Sequence, residues 1–376
     1  MRVNVWYGDD RQAAKFVVAQ TALRRHDVRI RKIHTNRRDF VRNPDAIQRM
    51  LYLDRPDIVI TTGDPEVPIL ALEFCAEAPT GHNITQRMAR VAAAAEFQIP
   101  FAYMFPERKW ITRRGGGRWD EYNPLPLYSL LQIARFHQCP VLAFFWEASE
   151  EARGHGRLCC DSAIPGVELP DARRNETQAL FQFVNLALTY AQEHRPFSEM
   201  AFDPFVMTRE RWMWERFNVR RRELDELSPL SATGEVSTSA LARKLKRLGL
   251  TDGLPAHVKA RPRTLLYSPK VTTFRSDPYA GNLVAIDYAK CRVGPTVRHR
   301  HMNLAIAFSE LPFRLAREKF RHFHARACPF RDGYDRADSY LTLHLRDGCR
   351  YTKQKELRVF CFYADLVIFQ DAVLHT

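Results

Sequence analysis

Two short apolar, β-rich runs joined by a turn restrict most strongly what the segment Pro56–Pro106 can fold into. The first run, Ile58–Ile60, follows Asp57, and the second, Ile69–Leu72, is followed by Glu73. The residues between the runs are rich in Gly, Asp and Pro, so we expect a β-hairpin. Strand alternation and hairpin pairing would bring the two acids onto one face, where together they can hold a hard divalent cation.

A helix and a further strand are predicted directly after this hairpin. Ile84–Phe97 is rich in alanine and ends before Pro100, which predicts a helix. Gln86 and Arg90 are four residues apart and share one helix face, with Arg87 beside them. The apolar run 101–105 then predicts a buried strand.

The two acids and their neighbours resemble a known motif. Pro56-Asp57 and Glu73-Phe74-Cys75 are similar to the "PD" and "(D/E)XK" of the PD-(D/E)XK nuclease superfamily, which includes many restriction endonucleases. The resemblance implies a central mixed β-sheet flanked by helices, a restriction-endonuclease-like core. It also implies that Asp57 and Glu73 ligate Mg²⁺ (or Mn²⁺), with the Phe74 carbonyl as a further ligand, and that Gln86 belongs to the catalytic site. Asp64 and Glu66, in the hairpin turn, are alternative acids.

The chain departs from the family pattern at the lysine, which is Cys75 here. Three interpretations follow. Arg87 or Arg90 on the next helix supplies the missing positive charge, or Glu77 replaces the lysine, as a glutamate does in some restriction enzymes. In the third interpretation the chain binds nucleic acid without cutting it.

The net charge predicts a polyanionic partner. The formal charge is +14 at pH 7 and the sequence pI is about 9.6, with the excess mostly arginine. A flexible, glycine-containing loop is expected at Arg108–Arg118, a basic and aromatic segment occupies Arg209–Arg222, and a basic amphipathic helix is expected within Gly234–Gly249. The residues expected to contact nucleic acid are Arg90, Arg113, Arg114, Arg220, Arg221, Lys244 and Lys246.

The order of predicted elements indicates an α/β chain of two domains. Helices are predicted over 11–25, 125–137 and 177–194, and a buried strand over 141–146. The composition changes near Pro196, so we expect a nuclease-like domain over residues 1–195 and a basic α+β region over residues 196–376 that helps to recognise nucleic acid. The apolar, β-rich C-terminus, 357–374, is expected to pack into a sheet.

Composition also indicates the cellular compartment of the chain. No apolar run reaches the length of about 18 residues that a membrane span needs, so we expect no membrane partner. The N-terminus lacks an apolar signal core, and the eight cysteines show no spaced framework, which favours reduced thiols in the cytoplasm.

The combined expectation is a Mg²⁺-dependent endonuclease that hydrolyses phosphodiester bonds in double-stranded DNA, of a restriction or phage-defence type. The resemblance also implies a possible homodimer, because each active site of such enzymes cuts one strand. The alternatives are a non-catalytic nucleic-acid-binding protein that keeps the nuclease fold, and a structure-specific or RNA-directed nuclease in which Trp212–Arg222 stacks on bases.

Overall fold

The computed structural model divides the chain into two compact units. The first comprises residues 1–51, 55–80 and 90–219, and the second comprises residues 52–54, 81–89 and 220–376. The structure describes residues 1–35, 39–51, 55–75, 82–113, 116–121, 124–146, 169–220, 231–269, 291, 300–312, 334–336, 340–343 and 364–375.

The elements from the N-terminus to residue 219 alternate between strands and helices. The strands are β1 Arg2–Tyr7, β2 Asp27–Lys32, β3 Ile58–Thr62, β4 Val67–Phe74, β5 Phe101–Pro106, β6 Arg108–Arg113, β7 Gly116–Glu121 and β8 Val141–Trp146. The helices are α1 Arg11–Gln20, α2 Asp45–Met50, α3 His82–Glu96, α4 Leu125–His137, α5 Asn175–Gln192, α6 Phe197–Met200 and α7 Pro204–Val219.

The first unit is built on a mixed sheet with the strand order β2-β1-β3-β4-β5-β8. Strands β1, β3 and β4 form an antiparallel meander, whereas β2 is parallel to β1, and β5 and β8 continue parallel from β4. Strand β4 therefore has an antiparallel neighbour on one side and a parallel neighbour on the other. The predicted hairpin and the predicted strand after the alanine-rich helix are both confirmed.

Helices cover the sheet on both faces. Helix α1 packs on β1 and β2, α5 packs on β4 and β8, and α4 and α7 pack on β8. Strands β3, β5 and β8 are buried along their whole length. Since successive side chains of a strand point to opposite faces, this burial requires apolar cover on each side. The predicted α/β class with a central mixed sheet flanked by helices is confirmed at this level.

Two local predictions for the first unit were wrong. The predicted helix over 11–25 ends at Gln20, because Thr21 is extended (φ −121°, ψ 173°) and its hydroxyl donates to the Val17 carbonyl at 2.7 Å. The chain continues as a 3-10 turn, Ala22–Arg25. The segment predicted to be a flexible loop is instead the antiparallel β6–β7 hairpin, in which Arg113 pairs with Gly116.

Among the described residues, side chains of α5 and α7 rather than another strand bond to the outer edge of β8. Arg209 of α7 donates from Nε to the Ala143 carbonyl at 2.9 Å, and Glu176 of α5 accepts from the Phe145 amide at 2.8 Å. The Met213 sulfur accepts from the Ala143 amide at 3.3 Å. Unpaired strand edges invite pairing with another chain, and these contacts remove that opportunity. Helices α6 and α7 lie beyond the composition change near residue 195 and group with the first unit.

The second unit contains a further mixed sheet. Its strands are β9 Ser231–Ser237, β10 Arg263–Pro269, β11 Asn303–Phe308, β12 Tyr334–Arg336, β13 Tyr340–Leu343, β14 Leu366–Phe369 and β15 Val373–His375, in the order β12-β13-β15-β14-β11-β10-β9. Helices α8 Thr238–Arg247 and α9 Ala256–Lys259 follow β9. Leu241 and Leu245 of α8 pack in a core with Val258, Leu366 and Val373. The basic amphipathic helix that the sequence predicts is present. The predicted β-rich C-terminus is confirmed by β14 and β15, and residues 357–363 of that prediction lie outside the described residues.

A buried polar cluster joins the starts of β11 and β14. Asp365 accepts from Arg261 Nη1 at 2.8 Å and from the Leu304 amide at 2.8 Å, and it also forms an ion pair with Arg300. Asn303 is fully buried, and its amide nitrogen donates to the Val258 carbonyl at 3.0 Å. Because buried polar groups are costly unless paired, this cluster fixes one arrangement of the strand ends.

Among the described residues, no helix combines the length and the apolar character that crossing a membrane requires.

Candidate active site

The β3–β4 hairpin places Asp57 directly across from Glu73. Ile58 pairs with Leu72, so the residue before Ile58 faces the residue after Leu72. A register shift lies between the Ile60–Leu70 and Thr61–Pro68 pairs and leaves Ile69 as an extra residue on β4. If the pairs next to the turn, Thr62–Val67 and Thr61–Pro68, continued without this bulge, Asp57 would lie opposite Leu72 instead of Glu73.

Hydrogen bonds tie the two acids to each other's strands. The Phe74 amide donates to Asp57 Oδ2 at 2.9 Å, and the Asp57 amide is 3.3 Å from Glu73 Oε2. The Asp57 carbonyl accepts from the Gly8 amide at 2.8 Å, which fixes the backbone from the β1 side. Each carboxylate thus accepts from the strand that carries the other, and the pair is held at one end of the hairpin.

Arg90 of α3 reaches Glu73. The distance from Arg90 Nη1 to Glu73 Oε2 is 2.6 Å, and the exposed fractions of the two side chains are 9% and 2%. A charge-assisted hydrogen bond of this kind is short and strong, and it neutralises a carboxylate that burial would otherwise destabilise. One of the two arginines expected to replace the missing lysine therefore lies at the acid pair.

Cys75 does not add a charge to this site. It is a buried, reduced thiol with 2% exposure, and its backbone amide donates to the Met104 carbonyl at 2.8 Å. The position that carries the family's lysine thus continues the ladder between β4 and β5. Arg87 lies one turn before Arg90 on α3, where it is half-buried.

The other predicted residues are distributed as follows. Gln86 lies on α3. Glu77, Arg114 and Arg221 lie outside the described residues. Arg113 lies on β6, and Arg220 follows α7 and is half-buried. Lys244 and Lys246 are exposed on α8.

The alternative acids lie at the far end of the hairpin. Asp64 is 88% exposed in the turn, where it is 3.8 Å from Arg2 Nη1. Glu66 accepts from Trp6 Nε1 at 2.8 Å and from the Thr61 hydroxyl. Neither acid joins Asp57 and Glu73.

A tyrosine that the sequence reasoning missed lies next to Glu73. Tyr103 of β5 pairs with Glu73 in the parallel ladder, so both side chains extend from the same face of the sheet. Tyr103 is fully buried, and its ring lies 4.8 Å from that of Phe105. The sequence carried one signal for this residue: Tyr103 bears a hydroxyl in the otherwise apolar strand β5.

Two side chains of the basic and aromatic segment, Arg209 and Trp212, lie against the sheet, whereas Trp214 is 42% exposed and residues 221 and 222 lie outside the described residues. Arg209 of α7 is 8% exposed, forms an ion pair with Glu176, and lies 3.6 Å from the centroid of the Trp212 ring. Burial lowers the pKa of Arg209, and the Glu176 carboxylate opposes that effect. Trp212 packs on Phe145 with the ring centroids 5.1 Å apart. These side chains hold α7 on the edge of β8.

The described residues contain no group of three or more His, Cys, Asp and Glu side chains arranged to hold a metal ion. No protein-family model, curated protein or solved structure matches the chain.

Proposed function

We propose that the first unit is a nuclease of the PD-(D/E)XK type, and that the chain hydrolyses phosphodiester bonds in duplex DNA with Mg²⁺ or Mn²⁺. One observation carries the proposal: Asp57 and Glu73 face each other across the hairpin, with the Arg90 guanidinium 2.6 Å from Glu73. The succession of hairpin, helix α3 and parallel strand β5 supports a restriction-endonuclease-like core.

The donor set is compatible with Mg²⁺. This ion is commonly held by one or two carboxylates, with water and substrate oxygens completing its octahedron, so two acids suffice. Asp57 and Glu73 would hold it, together with the Phe74 carbonyl. When bound, the ion would supply charge neutralisation and ionisation of a water molecule.

The chain's own residues then have distinct roles. Asp57 is held by the Phe74 amide, and Glu73 by Arg90 and the Asp57 amide, so both carboxylates have fixed positions at this end of the hairpin. Arg90 contributes the positive charge that Cys75 lacks. Tyr103 pairs with Glu73 in the β4–β5 ladder and extends from the same face of the sheet.

A non-catalytic nucleic-acid-binding protein is the second candidate. The same ion pair favours it, because Glu73 is only 2% exposed and one of its oxygens is bonded to Arg90. In that case the acid pair and Arg90 serve stability alone, and the basic face of α8 carries the binding.

The cytoplasmic setting and a homodimer belong to the nuclease proposal. The buried, reduced thiols of Cys75, Cys139 and Cys291 agree with a reducing compartment.

Plasmid cleavage tests the proposal. Supercoiled DNA is incubated with the protein and Mg²⁺ or Mn²⁺, and Asp57→Asn and Glu73→Gln are compared with Asp64→Asn, a matched change at an exposed acid of the same hairpin. We expect cleavage by the wild type and by Asp64→Asn, and a loss of at least 100-fold in the other two variants.

Two further measurements separate the candidates. Calorimetric titration with Mn²⁺ reports metal binding without activity, and it should detect a site that Asp57→Asn removes. Thermal unfolding of each variant shows whether lost cleavage reflects lost folding. DNA binding without cleavage of duplex DNA, single strands or RNA, and without Mn²⁺ binding, would establish the non-catalytic candidate.

A further inference from the structure

A polar groove lies between the 3-10 turn Ala22–Arg25 and the C-terminal part of α5. Its volume is about 480 Å³, and its lining includes Arg24, Arg25 and His26 on one side and Asn185, Thr189 and Gln192 on the other. Small-molecule sites commonly have volumes of roughly 300 to 1,000 Å³. All of these residues belong to the first unit.

The two walls of the groove are joined by specific contacts. The Ala22 amide donates to Asn185 Oδ1 at 2.7 Å, and His26 Nε2 lies 3.4 Å from Gln192 Nε2. Leu23 directly precedes the exposed Arg24 and Arg25 and is fully buried, so it anchors the turn. The backbone that carries the two arginines is therefore fixed before any ligand arrives.

The groove presents donors and positive charge. None of the described residues that line it is Asp or Glu, whereas two are arginines. The ends of α1 and α5 would add partial negative charge, but the Val17 carbonyl accepts from the Thr21 hydroxyl at 2.7 Å, and the Tyr190 carbonyl accepts from the Arg195 amide at 2.9 Å. Protein donors thus already occupy carbonyls that would oppose an anion.

The groove is remote from Asp57 and Glu73 along the sheet. The turn leads into β2, whose first residue pairs with Arg2 at the start of β1, and Val3 pairs with Thr62 at the end of β3. Asp57 precedes the opposite end of β3. The five residues of β3 span about 17 Å at roughly 3.3 Å per residue. The groove and the acid pair are separate sites.

We propose that this groove binds the phosphate group of a nucleotide, either as a free nucleoside phosphate or within a nucleic-acid strand. Arg24 and Arg25 supply planar guanidinium donors, which match phosphate oxygens better than point charges do. The amides of Asn185 and Gln192 border the same space and offer polar contacts to the sugar or base. The inference goes beyond the proposed hydrolysis and does not require the acid pair.

The test uses adenosine 5′-monophosphate and a short single-stranded oligonucleotide as separate probes, with the dissociation constant measured by calorimetry for the first and by fluorescence anisotropy for the second. The double variant Arg24→Gln/Arg25→Gln is compared with Arg29→Gln/Lys32→Gln, which removes two exposed charges from β2, outside the lining of the groove. We expect at least tenfold weaker binding in the first variant and less than twofold in the second.

A filling variant keeps the charge and blocks the space. Thr189→Trp, at an exposed position of α5, should weaken binding of whichever probe occupies the groove by at least fivefold. Loss with the mononucleotide identifies a free nucleotide as a ligand, and loss with the oligonucleotide alone identifies a strand. Equal losses in both double variants, or binding unchanged by Thr189→Trp, would overturn the proposal. These binding measurements use neither DNA cleavage nor the Asp57→Asn variant. A negative result for the groove therefore does not contradict the proposed nuclease function.

Discussion

Glu73 and Arg90 form a nearly fully buried ion pair that joins β4 to α3, with 2.6 Å between Oε2 and Nη1. A buried pair of this kind contributes little net stability compared with apolar residues of similar size, yet removal of one partner leaves an uncompensated charge. The same bond sets a positive charge beside Glu73, two residues before Cys75.

Loss of Arg90 should destabilise the first unit strongly. We expect Arg90→Met to lower the free energy of unfolding by about 3 to 5 kcal/mol, because the buried Glu73 loses the guanidinium 2.6 Å from its carboxylate. Arg173→Met is the control, since Arg173 is 89% exposed and should change stability by less than about 0.5 kcal/mol. Urea unfolding measures both. The double variant Glu73→Gln/Arg90→Met should recover much of the loss, and an equally unstable double variant would contradict the assignment.

The side chains at the edge of β8 should also limit self-association. In Arg209→Met, Glu176 keeps the Phe145 amide but loses its ion pair, and the Ala143 carbonyl loses the Arg209 donor. We therefore expect the free energy of unfolding to fall by about 3 kcal/mol and the fractions of dimer and aggregate to rise. Arg211→Met, at an exposed position of the same helix, is the matched control. Size-exclusion chromatography with light scattering measures association. A monodisperse Arg209→Met protein with wild-type stability would rule out this role for the edge contacts.

The exposed lysines of α8 should affect binding through salt dependence. If Lys244 and Lys246 contact phosphates, the double change to Gln should reduce the slope of log K against log salt by about 2, at roughly 0.9 per contact. Lys15→Gln/Arg173→Gln removes the same charge from exposed sites of the first unit. Anisotropy titrations at several salt concentrations give the slopes. Identical slopes for the two double variants would mean that the face of α8 makes no specific contribution.

A buried histidine predicts acid sensitivity of the second unit. Burial, with a smaller contribution from His257, lowers the pKa of His375 from 6.5 to about 4. Between these values the unfolded chain binds a proton that the folded chain does not, so stability present above pH 6.5 is lost as the pH falls towards 4. The loss amounts to about 3 kcal/mol.

Urea unfolding between pH 7.5 and pH 4 checks this expectation. His375→Leu should flatten the dependence over that window, whereas His194→Gln, at an exposed histidine, should leave it unchanged. An unchanged pH dependence in His375→Leu would show that another group is responsible.

Local pattern was sufficient for several elements of the first unit. The apolar runs of β3, β5 and β8 and the periodicity of α5 predicted which of these elements are strands or helices and where they lie. A strand buried on both faces has a continuous apolar run, and a helix buried on one face has apolar residues at helical spacing. The 3-10 turn after α1 was missed, since Thr21 interrupts the helix by bonding its hydroxyl to Val17, and the apolar periodicity continues past it.

Tertiary contacts determine the features that the sequence pattern did not predict. Arg209 and Trp212 have the composition of a nucleic-acid surface, yet they face inward because β8 needs partners for its outer edge. The choice of Arg90 as the partner of Glu73 depends on how α3 packs, which spacing alone does not specify. The glycines after Arg113 suggested flexibility, whereas residues 108–113 pair with residues 116–121 as two antiparallel strands.

The extra residue Ile69 on β4 gives the hairpin a tolerance to changes in length. Removal of Ile69 would restore a regular ladder and still leave Asp57 opposite Glu73, with the two acids one residue closer in sequence. Two spacings therefore encode one arrangement of carboxylates, and the deletion of one residue at the bulge turns neither acid to the other face. A sequence search that demands one fixed interval between the acids would overlook chains that build this pair at the other spacing.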